Sequence, residues 1–337
     1  MIKNLEAWEK QSSRRLYDEA FEEDSESFKD YYYSEKIRDN TIIADIQGDQ
    51  IRAMLHLNPY RMRFLGREYE INYIVAVATA KAHRRKGLMR GLLLESFRQM
   101  YRENKPFTFL LPANPAYYSP FDFVFISNYT ETLLKEGAGL GKSAYRMEDK
   151  EELIRFGNAF LQKISEVYCL RDEKYLDRLL LELESEQGDM EIFRDRSGRI
   201  VGNALYWGIE KKECREFICE GEYALLKEKD KPYMMGRIIH LHEFLKPIRL
   251  HPSEKEEEIS VWIRVHDAWI KENTGCFLWR IGKEGSCLER SEEPCEECIM
   301  FDIGDLTAWL FGYREENRAA WCKKIRGVKG VFINEAV

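Results

Sequence analysis

Four cationic residues surround a single glycine at position 87. Arg84, Arg85 and Lys86 lead into Gly87, and Arg90 follows at the start of a predicted helix. A helix N-terminus already carries partial positive charge from its unpaired N–H groups, so cations there are unfavourable unless an anion lies beside them. Gly87 would let the backbone approach such an anion closely. The spacing therefore predicts a polyanion site, with a solvated basic face as the alternative.

Two apolar strands and one helix are predicted to position this turn. Residues 73–78 form a short apolar run of the kind found in strands that are buried on both faces. From Leu88 to Tyr101 the apolar residues recur at helical spacing. Pro106 follows the end of that helix, and residues 107–111 form a second apolar strand. The order predicts a parallel strand pair joined by a right-handed crossover.

The pattern Arg84-x-x-Gly87-x-Met89 after an apolar strand resembles the pyrophosphate-binding turn of the Gcn5-related N-acetyltransferases (GNAT). The family pattern ends in Gly or Ala, so Met89 departs from it and the turn must accommodate a larger side chain. The sequence HRRKGLMR at 83–90 is similar to one branch of the family, the enhanced intracellular survival (Eis) type. A dinucleotide-binding fingerprint is a weaker match, because this segment has one glycine and several cations.

The resemblance implies acetyl-CoA as co-substrate and no metal. It also implies that the two parallel strands splay apart around the pantetheine arm, with a backbone N–H near Val77 as the oxyanion donor. The implied contacts are, for the pyrophosphate, Arg85, Lys86, Gly87, Leu88, Met89 and Arg90; for the pantetheine arm, the backbone of Val77, Ala78 and Thr79; and for the acetyl end, Ala113 and Asn114.

A tyrosine follows the second strand at a position where the Eis-type pattern has one. The segment from Tyr118 to Phe123 fits a pattern of Tyr, two residues, then Phe-Gly-Tyr, with Asp122 in place of the glycine and Phe123 in place of the second tyrosine. A phenol remains protonated at neutral pH and can give its proton to a departing thiolate. The resemblance thus makes Tyr118 the general acid. The alternative is that Tyr117 and Tyr118 are packing residues with solvated hydroxyls.

The last residues are apolar where chain ends are usually polar. Residues 327–337 include Val328, Val331, Phe332 and Ile333, which indicates docking into a cleft. The resemblance implies that the main-chain carboxylate of Val337 enters the active site and acts on the substrate amine. A free α-carboxylate has a pKa of about 3.5, so it would act through water, after burial, or by charge pairing. The alternative is an edge strand of the last domain.

The chain of 337 residues is long enough for two or three domains. Residues 9–38 are predicted to be helical, residues 51–56 and 61–64 to be strands, and residues 233–245 to begin a last region with a helix. A glycine-rich run at 136–142 reads as a linker, and the segments 41–56 and 190–207 form a weak repeat of strand, turn and strand. The fold class is α+β. The predicted division is a GNAT catalytic domain at 1–135, a degenerate GNAT-like domain at 136–232, and a domain at 233–337 that resembles the sterol-carrier-like domain of Eis-type proteins.

The composition excludes several classes of protein. A net charge of −7 argues against a general nucleic-acid partner, and 44% hydrophobic residues argue against disorder. We expect no membrane partner, because no segment approaches the roughly 20 apolar residues of a membrane span. No signal peptide is visible, so the expected location is cytoplasmic.

The cysteines are predicted to be reduced rather than structural. All eight lie beyond residue 168, which does not suit an even disulfide framework. Cys295 and Cys298 form the one CxxC pair, and a zinc site would need a second close pair. Cys276 and Cys287 are single and eleven residues apart. Reduced cysteines near a hairpin are therefore favoured over a metal site.

Together these features predict an N-acetyltransferase. The acetyl group would pass from acetyl-CoA to a primary amine of a cationic small molecule, such as an aminoglycoside or polyamine, or to a protein lysine. The alternative is a non-catalytic protein that binds an apolar ligand through its sterol-carrier-like domain. Family resemblance also implies a homo-oligomer, a hexamer in many members.

Overall fold

The computed structural model describes residues 1–209, 211–292 and 298–335. The helices are α1 (Arg14–Ala20), α2 (Glu26–Ser34), α3 (Leu88–Arg102), α4 (Lys150–Ile164), α5 (Glu173–Ser185), α6 (Leu241–Leu245) and α7 (Ile303–Leu310). The strands are β1 (Ile2–Asn4), β2 (Thr41–Gln47), β3 (Gln50–Phe64), β4 (Arg67–Thr79), β5 (Phe107–Leu110), β6 (Val124–Phe125), β7 (Asn128–Leu134), β8 (Gly141–Ala144), β9 (Val167–Cys169), β10 (Asp189–Arg194), β11 (Ile200–Trp207), β12 (Glu213–Cys219), β13 (Ala224–Pro232), β14 (Met235–Ile238), β15 (Arg249–Leu250), β16 (Glu258–His266), β17 (Gly275–Gly282), β18 (Ser286–Ser291), β19 (Ile299–Asp302), β20 (Ile325–Arg326) and β21 (Val331–Phe332).

The main sheet runs in the order β1-β2-β3-β4-β5-β14-β6, with β9 attached to β3 and β21 attached to β9. Its centre is the long antiparallel hairpin of β3 and β4, which turns at Leu65 and Gly66 with positive φ angles of 48° and 84°. The predicted strands at 51–56 and 61–64 are therefore one continuous strand. Strand β5 joins β4 in parallel after α3, as predicted.

Helices cover both faces of this sheet. The apolar side of α3, including Leu92, Phe97 and Met100, packs in one fully buried cluster with residues such as Leu55. A second cluster forms between α1, α2 and the sheet and contains Tyr17, Phe28, Tyr31, Tyr32 and Tyr33. The predicted helix at 9–38 is therefore two short α-helices, and its tyrosines form the core beneath them.

The middle of the chain forms its own small sheet with strand order β12-β11-β10-β8. Helix α4 buries Leu153, Phe156 and Phe160 against it, and α5 buries Leu179 and Leu183 in the same cluster. The predicted hairpin of 190–195 and 200–207 is confirmed as β10 and β11. Its descent from a second acetyltransferase-like unit remains a prediction.

The last part of the chain has a four-stranded sheet, β18-β17-β16-β19, covered by α7. Aromatic rings fill the space beneath this sheet. Phe301 and Trp309 stack at 5.5 Å between ring centroids, and Trp279 and Trp321 meet edge to face at 6.2 Å. The alternative role, binding of an apolar ligand by this part of the chain, stays a prediction.

One segment differs from its predicted form. Residues 233–245 are predicted to begin a helix, but Met235–Ile238 is strand β14, inserted between β5 and β6 of the main sheet, and the helix α6 begins only at Leu241. The insertion completes the sheet. Met235 and Ile238 are both buried, so both faces of β14 are covered. A strand beyond the predicted boundary at 232/233 thus belongs to the first sheet, and the boundaries themselves remain predictions.

The sequence predicts neither a metal site nor a membrane-spanning segment. Cys295 lies outside the described residues, and no metal-binding cluster of His, Cys, Asp or Glu occurs within them. In the described ranges, no helix is both long and apolar enough to cross a membrane.

Candidate active site

Strands β4 and β5 separate from each other soon after they meet. Their one parallel pair is Tyr73 with Phe109, whose rings stack at 5.1 Å with an interplanar angle of 6°. Thr108 Oγ1 donates to the Asn72 carbonyl at 2.7 Å and fixes the contact. Beyond this pair, β5 bonds to β14 while β4 runs on to Thr79. We call the space between β4 residues 74–79 and the end of β5 the fork.

A β-bulge lies on the β4 side of the fork. Met54 pairs with Ala78 and His56 with Val75, so β4 carries one residue more than β3 across this interval. Ala76 takes the positive φ of 50° that the extra residue requires. Bulges redirect peptide groups away from the regular ladder. The backbone at Ala76 and Val77 is therefore turned out of the regular pattern, and Ala78 and Thr79 pair with β3 again, in the segment where the resemblance expects the pantetheine arm.

The basic turn, residues 81–90, follows directly from β4. A single 3₁₀ turn at Lys81–His83 leads to Gly87, which has a φ of 76° and precedes the first residue of α3. No side chain caps this helix, because glycine has none to offer. The N–H groups of Leu88, Met89 and Arg90 thus have no partner within the helix. Free N–H groups at a helix N-terminus suit an anion, and the polyanion site itself stays a prediction.

The four cations of the turn have different surroundings. Arg84 donates to the Thr79 carbonyl at 3.2 Å and Lys86 to the Ala82 carbonyl at 3.1 Å, so both brace the turn. The Arg85 side chain is exposed. Arg90 lies over the ring of Trp269, 5.1 Å from its centroid. The unusual Met89 packs against the main core instead of entering the turn, which explains how a side chain larger than alanine fits.

Tyr118 lies on the other side of the fork, in a short helical turn beyond β5. The Asn114 side chain accepts a hydrogen bond from the Ala116 N–H at 3.0 Å and begins that turn. Tyr118 is 9% exposed, and burial raises the pKa of its phenol to about 12. Its neighbour Tyr117 is 59% exposed. The structure thus separates the two tyrosines clearly, and Tyr118 is the one that holds its proton in a buried setting.

A fully buried arginine holds the Tyr118 turn in place. Arg237 Nε donates to the Phe121 carbonyl at 2.8 Å, and its Nη2 donates to Asp267 at 2.6 Å. The guanidinium also lies over the Phe97 ring of α3, at 4.6 Å. Arg237 therefore joins the turn, the helix that follows the basic turn, and the last part of the chain at one point.

A cavity of about 530 Å³ opens where the main sheet has a gap. Strand β2 leaves β3 at Leu57, and β9 joins β3 only at Met62. The cavity lies beside the intervening residues and is closed by α5 and the tail, residues 327–335. Tyr60 lines it, and the Tyr60 ring lies 6.4 Å from both Tyr73 and Phe109. The cavity and the fork therefore share a wall. We call it the interdomain cavity.

Charged side chains dominate the lining of this cavity. The cations are Lys36, Arg61, Lys105, Lys174, Arg178 and Arg215, and the carboxylates are Asp39, Glu70, Glu103, Asp172, Glu182 and Glu335. All but one of these carboxylates form ion pairs with lining cations, at 3.1 Å for Glu182 with Lys36 and 2.7 Å for Asp39 with Lys174. Among the described residues, Glu335 has no cation within ion-pair distance.

The tail delivers Glu335 to the cavity. Val331 and Phe332 form β21, which pairs in parallel with β9 and so extends the main sheet. Glu335 is 4% exposed and accepts a hydrogen bond from the Tyr175 hydroxyl at 3.1 Å. Burial raises the pKa of its carboxyl group, and the charge of Arg171 opposes that effect. Val337, the predicted terminal carboxylate, lies outside the described residues.

Two known protein families match parts of this chain. The family model for an acetyltransferase (GNAT) domain matches residues 1–126, which contain the fork, the basic turn and Tyr118. The N-terminal part of the chain is a GNAT acetyltransferase domain. The model for a sterol carrier protein domain matches residues 241–336. The protein is accordingly an acyl-CoA-dependent acetyltransferase with a sterol carrier protein domain at its C-terminal side.

Solved structures extend the likeness to the whole chain. A GCN5-related N-acetyltransferase from Kribbella flavida has a TM-score of 0.77 at 11% identity and covers 100% of this chain and 98% of its own. A probable N-acyltransferase from Enterococcus faecalis V583 gives 0.76 at 16%, covering 97% and 93%. Eis1 from Mycobacterium abscessus gives 0.71 at 10%, covering 100% of both chains. At these identities the likeness shows the fold alone. No curated protein matches the chain by sequence.

The GNAT domain receives functional groups from the other two parts that the sequence did not reveal. Glu182, Arg215 and Glu335 line the cavity, and Trp269 covers Arg90, yet each comes from beyond residue 126. No local motif marks them, because they meet only through the packing of α5 and the tail on the main sheet. The one available signal was the apolar tail, which pointed to docking but not to the residue that reaches the cavity.

Proposed function

We propose that the protein transfers the acetyl group of acetyl-CoA to a primary amine that is bound in the interdomain cavity. The observation that carries this proposal is the shared wall of Tyr60, Tyr73 and Phe109, with the fork on one side and a charged cavity on the other. A donor in the fork and an acceptor in the cavity would meet there. The acceptor class in the resemblance is an amine-bearing small molecule or a protein lysine.

The GNAT domain offers a fitting place for each part of acetyl-CoA. The free N–H groups of Leu88, Met89 and Arg90, together with Arg85, suit the pyrophosphate. Lys86 and Gly87 shape the turn that presents them. The backbone of Val77, Ala78 and Thr79, at the bulge and just after it, would pair with the pantetheine amides, and Ala113 and Asn114 would line the acetyl end.

The chemistry then requires one proton to leave the amine and one to reach the sulfur. The amine nitrogen forms a bond to the carbonyl carbon, the carbon–sulfur bond breaks, and the thiolate takes the proton of the Tyr118 hydroxyl. A backbone N–H near Val77 would stabilise the negative charge on the carbonyl oxygen. The ammonium loses two protons in all. The first passes before the attack to a carboxylate of the tail, for which the resemblance names the terminal group of Val337, and the second leaves the nitrogen for solvent as the amide forms. Tyr118 regains its proton from solvent.

The test measures release of the CoA thiol from acetyl-CoA with a panel of amines that includes aminoglycosides, polyamines and lysine peptides. The same panel is run on Tyr118→Phe, on the exposed control Tyr117→Phe, and on a variant extended beyond Val337. Turnover that collapses in the first and third but survives in the control supports both assigned roles. Turnover that is unaffected by the extension removes the Val337 carboxylate from the mechanism, and absence of acetyl-CoA binding refutes the proposal.

A further inference from the structure

The charges of the interdomain cavity are arranged asymmetrically. Glu182 is shared by two cations, Lys36 and Arg215, and the side chains of all three are at most 6% exposed. Neither cation has a second carboxylate within ion-pair distance among the described residues. The group therefore carries a buried positive charge beyond what Glu182 neutralises. Such a charge is costly unless an anion compensates it.

Burial lowers the pKa of Lys36, the charge of Glu182 opposes that effect, and the charge of Arg215 adds to it. The Lys36 ammonium donates to the Tyr60 hydroxyl at 3.0 Å, a neutral partner that does not supply the missing negative charge. An anionic group of a ligand, placed beside Lys36 and Arg215, would supply it.

A buried carboxylate without an ion-pair partner lies close by. Glu335 is the lining carboxylate left without a cation in the described chain, and it is buried. Its neighbour Asn334 donates through Nδ2 to the backbone carbonyl of Arg215 at 2.7 Å, so the two places adjoin. The cavity thus presents a site for an ammonium group beside a site for an anion, next to the wall shared with the fork.

We propose that the acceptor is a zwitterion of the amino-acid type, whose ammonium group meets Glu335 and whose carboxylate meets Lys36 and Arg215. This inference rests on the proposed function and narrows its acceptor class. A polycation is a poor fit, because Asp39, Glu182 and the other lining carboxylates are already neutralised and the buried surplus would repel it. A protein lysine side chain is also a poor fit, since it has no carboxylate near its amine.

The experiment compares amines that differ only in the carboxylate. Phenylalanine is paired with phenethylamine and lysine with cadaverine, with spermidine as the polycation. Acetyl transfer is followed by thiol release, and binding is measured separately by calorimetry in the presence of CoA. The variants are Lys36→Met and Arg215→Met, each of which leaves Glu182 with one cation and so removes the surplus without orphaning the carboxylate. Lys211→Met, at a side chain 83% exposed and outside the lining of the cavity, is the control.

We expect the amino acids to be preferred over their carboxylate-free partners. In either variant the KM for the amino acid should rise about tenfold to a hundredfold, as expected for loss of a charge-assisted hydrogen bond, while the KM for the plain amine stays constant. The control should change neither. A preference for spermidine or for the plain amines overturns the inference and leaves the acetyltransferase standing. Carboxylate-dependent binding without any acetyl transfer supports the inference and overturns the proposed function.

Discussion

Burial keeps the proton on Tyr118 throughout the pH range of an ordinary assay. With the pKa raised to about 12, the phenol remains an acid well above its usual range. Tyr118→Phe should lower kcat by about 10²- to 10⁴-fold, the usual contribution of a general acid, with little change in the KM for acetyl-CoA. The wild-type kcat should show no alkaline decline from this group up to about pH 10. A decline centred near pH 8 would assign the acid role to another group.

Burial of His56 leads to a prediction about the pH dependence of folding stability. Its Nδ1 lies 3.0 Å from the Tyr32 hydroxyl, and burial lowers the pKa of the imidazole from 6.5 to about 3. Below pH 6.5 the unfolded chain takes up a proton that the folded chain refuses, so stability falls with pH by about 1.4 kcal/mol per unit until the folded pKa is reached. His56→Gln should remove this slope. Denaturant unfolding at pH 7 and pH 5 should show wild type losing about 2 kcal/mol more than the variant.

At the same scale, the sequence indicates some site residues and not others. Tyr118 and the basic turn follow strands whose apolar runs are plain, so their place at the strand ends could be predicted. Glu335 could not be singled out, because its role depends on the pairing of β21 with β9 and on the ion pairs that occupy every other lining carboxylate. Such information resides in contacts between distant segments and has no local pattern.

Among the elements, the turn before α3 depends on the conformation of Gly87. A φ of 76° is strained for any residue with a side chain, so Gly87→Ala should cost about 1–2 kcal/mol. Gly66→Ala is a matched control, because Gly66 has a φ of 84°, is likewise exposed, and meets no atom that a Cβ would touch. Both variants should lose similar stability, but only Gly87→Ala should raise the KM for acetyl-CoA severalfold. Thermal unfolding measures the stability of both variants, and kinetic assays measure their KM for acetyl-CoA. Equal KM values in the two variants would remove the turn from the pyrophosphate site.

Two errors of prediction at this scale have physical causes. Pro59 separates the predicted strands at 51–56 and 61–64, yet β3 runs through it because the sheet has a gap there and no neighbour on that side needs its missing N–H. Apart from Arg237, residues 233–239 form a short apolar run, a pattern that does not distinguish a buried helix from a buried strand. Only the vacant place between β5 and β6 decides in favour of β14.

At the scale of the molecule, Arg237 links the GNAT domain to the sterol carrier protein domain. It is fully buried and bonds to Asp267, which in turn accepts from the backbone N–H groups of Trp269 and Ile270. Arg237→Met should destabilise the fold by about 3–5 kcal/mol, because it leaves a buried carboxylate without its cation.

The control for that prediction is Arg280→Met, which removes an exposed pair with Glu289 and should cost less than about 1 kcal/mol. Unfolding is measured by calorimetry for both variants. If Arg237→Met melts the sterol carrier protein domain separately while the GNAT domain stays folded, the two domains are not one cooperative unit and the linking role is wrong.

The insertion of β14 also sets an order of events during folding. Strand β5 is apolar, and until residues 235–238 arrive it has neither neighbour on that side nor cover for its edge. Because the two strands are more than a hundred residues apart, their pairing closes a long loop and comes late. During synthesis the GNAT segment therefore emerges with an unpaired, aggregation-prone strand edge. Its sheet is completed only after the middle of the chain has been made.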